Sequence, residues 1–206
     1  MKRYSIWVSL LLFALPFIGH ADDLATDTNY IANPPNFNEM SYGDADKAVY
    51  VILRSVLTKE KAVGPEFVSG LVDQLRQGKL TDEKKVLVIY LLGGLRPKDT
   101  NSVEVLIENI DLKAPRMDLA TDIPRWGPYP AQDALVRIGA PAIDPILNHL
   151  PSEGNALRRH LMCRVLKDKH VESKEAATNQ IKERLAVESN PSKRVNLELS
   201  LKELEK

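Results

Sequence analysis

From about residue 44 to the C-terminus, apolar residues recur at intervals of three and four, and glycine, proline or charged corners break the runs. That period marks amphipathic helices. Val49, Ile52, Leu53 and Val56 share one helical face behind the acidic start Asp44 and Asp46, and the run ends at the charged corner 58–61. A second helix opens on Pro65, buries Phe67, Val68, Leu71, Val72 and Leu75, and stops at Gly78. Val86 to Leu92 is apolar throughout and also suits a buried strand, because Val, Ile and Tyr favour sheets. Asp82 and Glu83 mark a helical start, however, Lys84 and Lys85 lengthen the run, and no second strand lies nearby. The spacing therefore predicts a central helix covered by both neighbours. Its partner runs from about Asn101 to Asp111, with Val103, Leu106, Ile107 and Ile110 inward and Glu104, Glu108 and Asn109 outward.

The 18 residues from Leu112 to Tyr129 interrupt this rhythm, with Pro115, Pro124 and Pro128 in a connection longer than packed helices normally use. Next, in Pro128–Leu150, Ala131, Ala134, Leu135 and Ile138 form one short apolar face. Gly139 ends it, and Pro141 starts a second run carrying Ile143, Ile146, Leu147 and Leu150. Helices this short are not stable alone in water, so the pair must stack on similar units. Further helices are predicted around Asn155–Lys167, Glu172–Val187 and Pro191–Leu204. Asn190 caps the last, and Val195, Leu197, Leu199 and Leu201 give it a broad apolar side.

The pairs repeat. Leu92-Gly93-Gly94-Leu95 precedes Leu135-Val136-Arg137-Ile138 by 43 residues, and Leu53 precedes Leu92 by 39, the period of two-helix units. The stretch from Ala134 to Leu147, ALVRIGAPAIDPIL, resembles a HEAT repeat of the bacterial, phycobilisome-lyase-like kind. The likeness is clearest over Gln132–Leu150, fair over Glu83–Asp111 and weak elsewhere. It implies an all-α fold, an α-solenoid of helix pairs over residues 44–206 whose second helices line a concave face. That family shares no active site, so it carries over no catalytic residue.

The N-terminus changes the picture of where this fold works. Lys2 and Arg3 precede an apolar run from Ile6 to Ile18, and Gly19-His20-Ala21 supplies the small residues of a cleavage site, so residues 1–21 are expected to be a signal peptide removed after Ala21. The run is too short for a permanent membrane span. The chain is then expected to be exported, to the periplasm or the medium. Residues 22–43, with Asn33-Pro34-Pro35-Asn36 and no apolar period, read as an extended or disordered lead-in. The full chain balances 28 Lys and Arg against 28 Asp and Glu, and loss of Lys2 and Arg3 leaves a net charge of −2, which argues against general nucleic-acid binding. Cys163 is the single cysteine, so no intrachain disulfide can form.

Candidate chemistry is sparse. His160-x-x-Cys163, with His170 and His149 nearby in sequence, has zinc-like spacing, but Arg159, Arg164 and Lys167 crowd the same helix and oppose a cation. No metal site or cofactor is expected, and Cys163 reads as a small, partly buried helix residue. Glu104 and Glu108, one turn apart, read as a solvated face. No nucleophile elbow, phosphate loop, dinucleotide fingerprint or metalloprotease helix occurs.

Two features remain. Arg125-Trp126-Gly127-Pro128-Tyr129 places the only tryptophan beyond the leader beside an arginine and a tyrosine, the composition of an interaction hot spot. A lone large aromatic more often covers core, however, so sealing the ends of the neighbouring helices is the favoured role for Trp126. Helical phase also puts Asp73, Glu104, Glu108, Asp144 and Asn148 outward on the second helices, as a mildly acidic concave strip. The expected function is a non-catalytic scaffold or binding module that engages a protein or peptide partner through the strip, Arg125, Trp126 and Tyr129. A lyase or chaperone-like activity on a bound cofactor, or a structural envelope role, are the alternatives.

Overall fold

The computed structural model describes residues 33–57, 63–115, 127–168 and 174–206. Among these residues every regular element is helical: α1 Tyr42–Leu57, α2 Pro65–Arg76, α3 Asp82–Leu95, α4 Thr100–Glu108, α5 Pro130–Ile138, α6 Ile143–His149, α7 Ala156–Lys167, α8 Lys174–Val187 and α9 Pro191–Glu205. Short 3-10 turns at Ala140–Ala142 and Leu150–Ser152 flank α6. None of the described helices is long and apolar enough to cross a membrane. Residues 1–32, and with them the expected leader, lie outside the described residues.

Local chemistry explains the ends of the helices. Ser41 and Asp44 form a reciprocal cap at the start of α1, with Asp44 N–H donating to Ser41 Oγ at 3.2 Å and Ser41 Oγ–H to Asp44 Oδ2 at 2.6 Å. α1 thus begins two residues before the acidic start read from the sequence. Asp99 caps α4, accepting from Ser102 N–H at 2.8 Å and Ser102 Oγ–H at 2.7 Å. Asn155 and Asn190 do the same for α7 and α9. α5 ends on Gly139 at φ 78°. α3 ends instead on Arg96 at φ 51°, the left-handed position glycine normally fills.

The packing order follows from which faces are apolar. α3 packs against both α1 and α5, α5 also against α7, and α7 against α9. In a second series α2 packs against α4, α4 against α6 and α6 against α8, while α2–α3, α4–α5, α7–α8 and α8–α9 contacts join the two series. Val86 to Leu92, the stretch open to a strand reading, is helical, and all seven of its residues are buried because neighbours cover α3 on opposite sides.

Three sequence expectations are corrected. Residues 33–41, part of the stretch read as extended or disordered, carry no helix but are packed: Phe37 is fully buried, and Gln74 on α2 brackets it, accepting from Phe37 N–H and donating to Pro35 O, both at 2.9 Å. The Gly70 surface receives this strap, since a Cβ there would stand 2.4 Å from Pro34 Cγ. On α9 the buried residues are Leu197, Ser200 and Leu204, whereas Val195 and Leu199 are 51% and 43% exposed. The last helix is covered from one side only, so one of two possible leucine stripes is left in solvent. Leu157 is exposed as well, and its neighbour Arg158 reaches toward α4.

Cys163 is completely buried rather than partly so, with its Sγ 3.8 Å from Ser200 O. Burial pushes its thiol up to about 11. Two units above an ordinary thiol leave roughly a hundredth of the usual thiolate, and the thiolate is the reactive form. Iodoacetamide at pH 8 is therefore expected to label Cys163 at least about 100-fold more slowly in the native protein than in urea. Equal rates in the two states would show that the α7–α9 contact opens freely.

Candidate functional site

The outward residues of the second helix series do not form one free acidic strip. Glu104 on α4 is half-buried and accepts from His149 Nε2 of α6 at 2.6 Å, an ion pair when the imidazole is protonated. Asn148 accepts from Arg184 Nη2 of α8 at 2.9 Å, while Arg184 Nη1 donates to Leu147 O at the end of α6. Successive helices of this series are thus tied by side chains the sequence assigned to a partner. Asp73, Glu108 and Asp144 remain exposed. Arg125 and Trp126 lie outside the described residues, and Tyr129 is half-buried against the core.

Among the described residues the histidines do not gather. His149 turns to Glu104, and His160 Nδ1 lies 3.0 Å from Glu203 Oε1 on α9, away from the sulfur of Cys163, while His170 falls outside the described residues. Among the described residues, no group of three or more His, Cys, Asp or Glu side chains is placed to hold a metal ion.

What the series does build is a cleft of about 440 Å³ where α2, the end of α3 and the start of α4 meet. Val68 and Val72 of α2, with Leu95 and Pro97, give it an apolar floor. The left-handed turn at Arg96 swings Pro97–Asp99 against α2 and makes one wall. Asp73, Arg76 and Lys98 stand exposed around it. Asp99 is committed to capping α4, but those three charged side chains engage no described residue. Of the cleft's polar residues only Asp73 was picked out from sequence. Arg76 and Lys98 occupy a helix end and a turn, where a lone cation is ordinary, so only the fold reveals that both line one cleft.

The insertion before α5 is fastened at its base. Ala114 N–H donates to Pro128 O at 2.9 Å, and Gly127 N–H donates to the carboxylate of Asp133 on α5. Burial raises the Asp133 carboxyl above its usual range, against the opposing pull of the Gly127 N–H and of Arg137 and Arg164. The same carboxylate raises the buried Tyr90 phenol, for which burial is the larger cause.

A raised native value means that protonated Asp133 contributes stability fully present below the unfolded value and lost as pH rises through the folded one. Asp133→Asn keeps an acceptor for Gly127 without the buried charge. Urea unfolding should therefore favour the variant relative to wild type more at pH 7 than at pH 4. A stability difference independent of pH would show that the carboxylate is fully solvated.

No family model, curated protein or solved structure gives a significant match to this chain. The functional reading therefore rests on the geometry.

Proposed function

We propose that the chain is an exported α-solenoid of HEAT-like helix pairs that holds a protein or peptide partner on the face formed by α2, α4, α6 and α8. The observation that carries this reading is the packing order: α1, α3, α5, α7 and α9 pack successively in one series and α2, α4, α6 and α8 in the other. Stacked pairs of this kind expose one extended face per series, and extended faces are what such stacks use for binding. The bonds Glu104–His149 and Asn148–Arg184 hold α4, α6 and α8 in register, so the face is preorganised. Exposed Asp73, Glu108 and Asp144 give it acidic contact points along its length.

The test is affinity capture from envelope extract, with the partner identified by mass spectrometry and then purified. Glu108→Lys and Asp144→Lys alter exposed charges without touching the helix ties. Each is expected to weaken binding of the purified partner at least about tenfold, the loss of roughly 1.4 kcal/mol. Equal affinity for both variants and wild type would remove this face from the function.

A further inference from the structure

We propose that the cleft between α2 and the α3–α4 turn is a receptor for the free C-terminus of a peptide ending in an apolar residue. The inference rests on the partner-binding reading above and names the part of the partner that enters the fold.

The floor sets the first requirement. Val72 is buried, while Val68 and Leu95 are half-buried and leave apolar surface facing the cleft. Covering that surface favours an aliphatic or aromatic side chain, at about 25 cal/mol per Å² removed from water. A volume of about 440 Å³ lies in the range of small-ligand sites, which suits a short terminal segment and not a folded surface.

Charge sets the second requirement. Arg76 and Lys98 both line the cleft, one from the last turn of α2 and the other from the turn after α3. Neither has an anionic partner in the described residues, and Asp99, the nearest acid in sequence to Lys98, spends its carboxylate on Ser102. Two unengaged cations above an apolar floor are complementary to a carboxylate carried next to an apolar group. A peptide C-terminus has that arrangement on one atom, Cα. A fatty acid also pairs a carboxylate with apolar bulk, but its chain requires a long enclosed tunnel, whereas this cleft is open to solvent.

The remaining polar groups fit a backbone. Ser69, Asp73 and Asn101 line the same cleft and are exposed. Asp73 can accept an amide N–H of the peptide, and Asn101 can both donate to and accept from it.

The experiment titrates 15N-labelled full chain with two synthetic probes, an acetylated tetrapeptide ending in leucine with a free carboxylate and the same peptide as its C-terminal amide, followed by amide chemical shifts. The free acid is expected to shift the amides of Val68 to Arg76 and Lys98 to Ser102, and the amide to bind at least about tenfold more weakly. Arg76→Gln and Lys98→Gln should each weaken the free acid by about tenfold, and Asp73→Asn by far less. Ser69→Trp changes an exposed position and fills the cleft. It should abolish the shifts with the dispersed spectrum of the fold intact.

Equal binding of acid and amide at these residues would overturn the carboxylate assignment and leave the partner-binding reading standing. Shifts confined to other helices, or tighter binding of decanoate than of the peptide, would overturn the site. The proposed function fails separately, if the purified partner ignores Glu108→Lys and Asp144→Lys.

Discussion

Phe37→Ala is expected to lower the unfolding free energy by about 3–5 kcal/mol, the usual cost of emptying a fully buried aromatic site. Phe37 is the fully buried side chain of the strap that crosses α2, where Met40 also packs on the core, and its backbone N–H and Pro35 O satisfy both ends of the Gln74 amide, which is itself buried. Loss of the ring removes the largest contact of the strap, and loosening of the strap strips Gln74 of both partners. The loss should therefore exceed the cavity term alone, because a buried amide left unpaired adds roughly 1–3 kcal/mol. Urea denaturation checks the size. Hydrogen exchange checks the mechanism: in the variant, Phe37 N–H should lose protection while α7 and α9 amides keep theirs. A loss below about 1.5 kcal/mol, the size of a single methyl deletion, would mean that Phe37 is a surface residue.

Arg158→Ala should cost about 3 kcal/mol, at the upper end for a multiply bonded charged side chain. The guanidinium bonds Glu153 Oε2 at 2.9 Å, Asp111 Oδ1 at 2.8 Å and the carbonyls of Ile107 and Glu108, each at 3.0 Å. Those two carbonyls belong to the last turn of α4, where acceptors lack the usual helical partner, although Ile107 O also accepts from Ile110 N–H at 3.2 Å. One side chain from α7 thus caps a helix three helices earlier in the chain and neutralises two acids beside it. Arg158→Lys should recover less than half of the loss, since an ammonium cannot span a fork of four acceptors. Full recovery by lysine would show that charge alone matters there, and that the carbonyls are satisfied by water.

The helices were legible because their apolar residues keep one period and their ends carry recognisable caps. Gly139 and Pro141 mark the corner between α5 and α6, and Asn190-Pro191 marks the start of α9. What escaped was everything set by distance in sequence. Phe37 sits in a run of Asn and Pro, and its partner Gln74 lies 37 residues on and looks like any polar residue on a helix surface. Glu104 and His149 are 45 residues apart, so an apparent contact point proved to be a tie between α4 and α6. On α9, leucines at 197, 199, 201 and 204 allow two overlapping stripes, and the positions of α7, α8 and the turn Leu150–Ser152 select Leu197 and Leu204. Asp73 was read correctly as exposed, but the cations that give its neighbourhood a chemistry came from a helix end and a turn.

The joined base of the segment between α4 and α5 has a consequence for how this protein can change. Because Ala114 and Pro128 already meet, the separation of α4 from α5 does not depend on how many residues lie between them. Doubling the length of a closed loop costs only about 0.6 kcal/mol of closure entropy. The position is therefore a natural port, where sequence can be lengthened, trimmed or exchanged for a foreign domain while the stack on either side keeps its register.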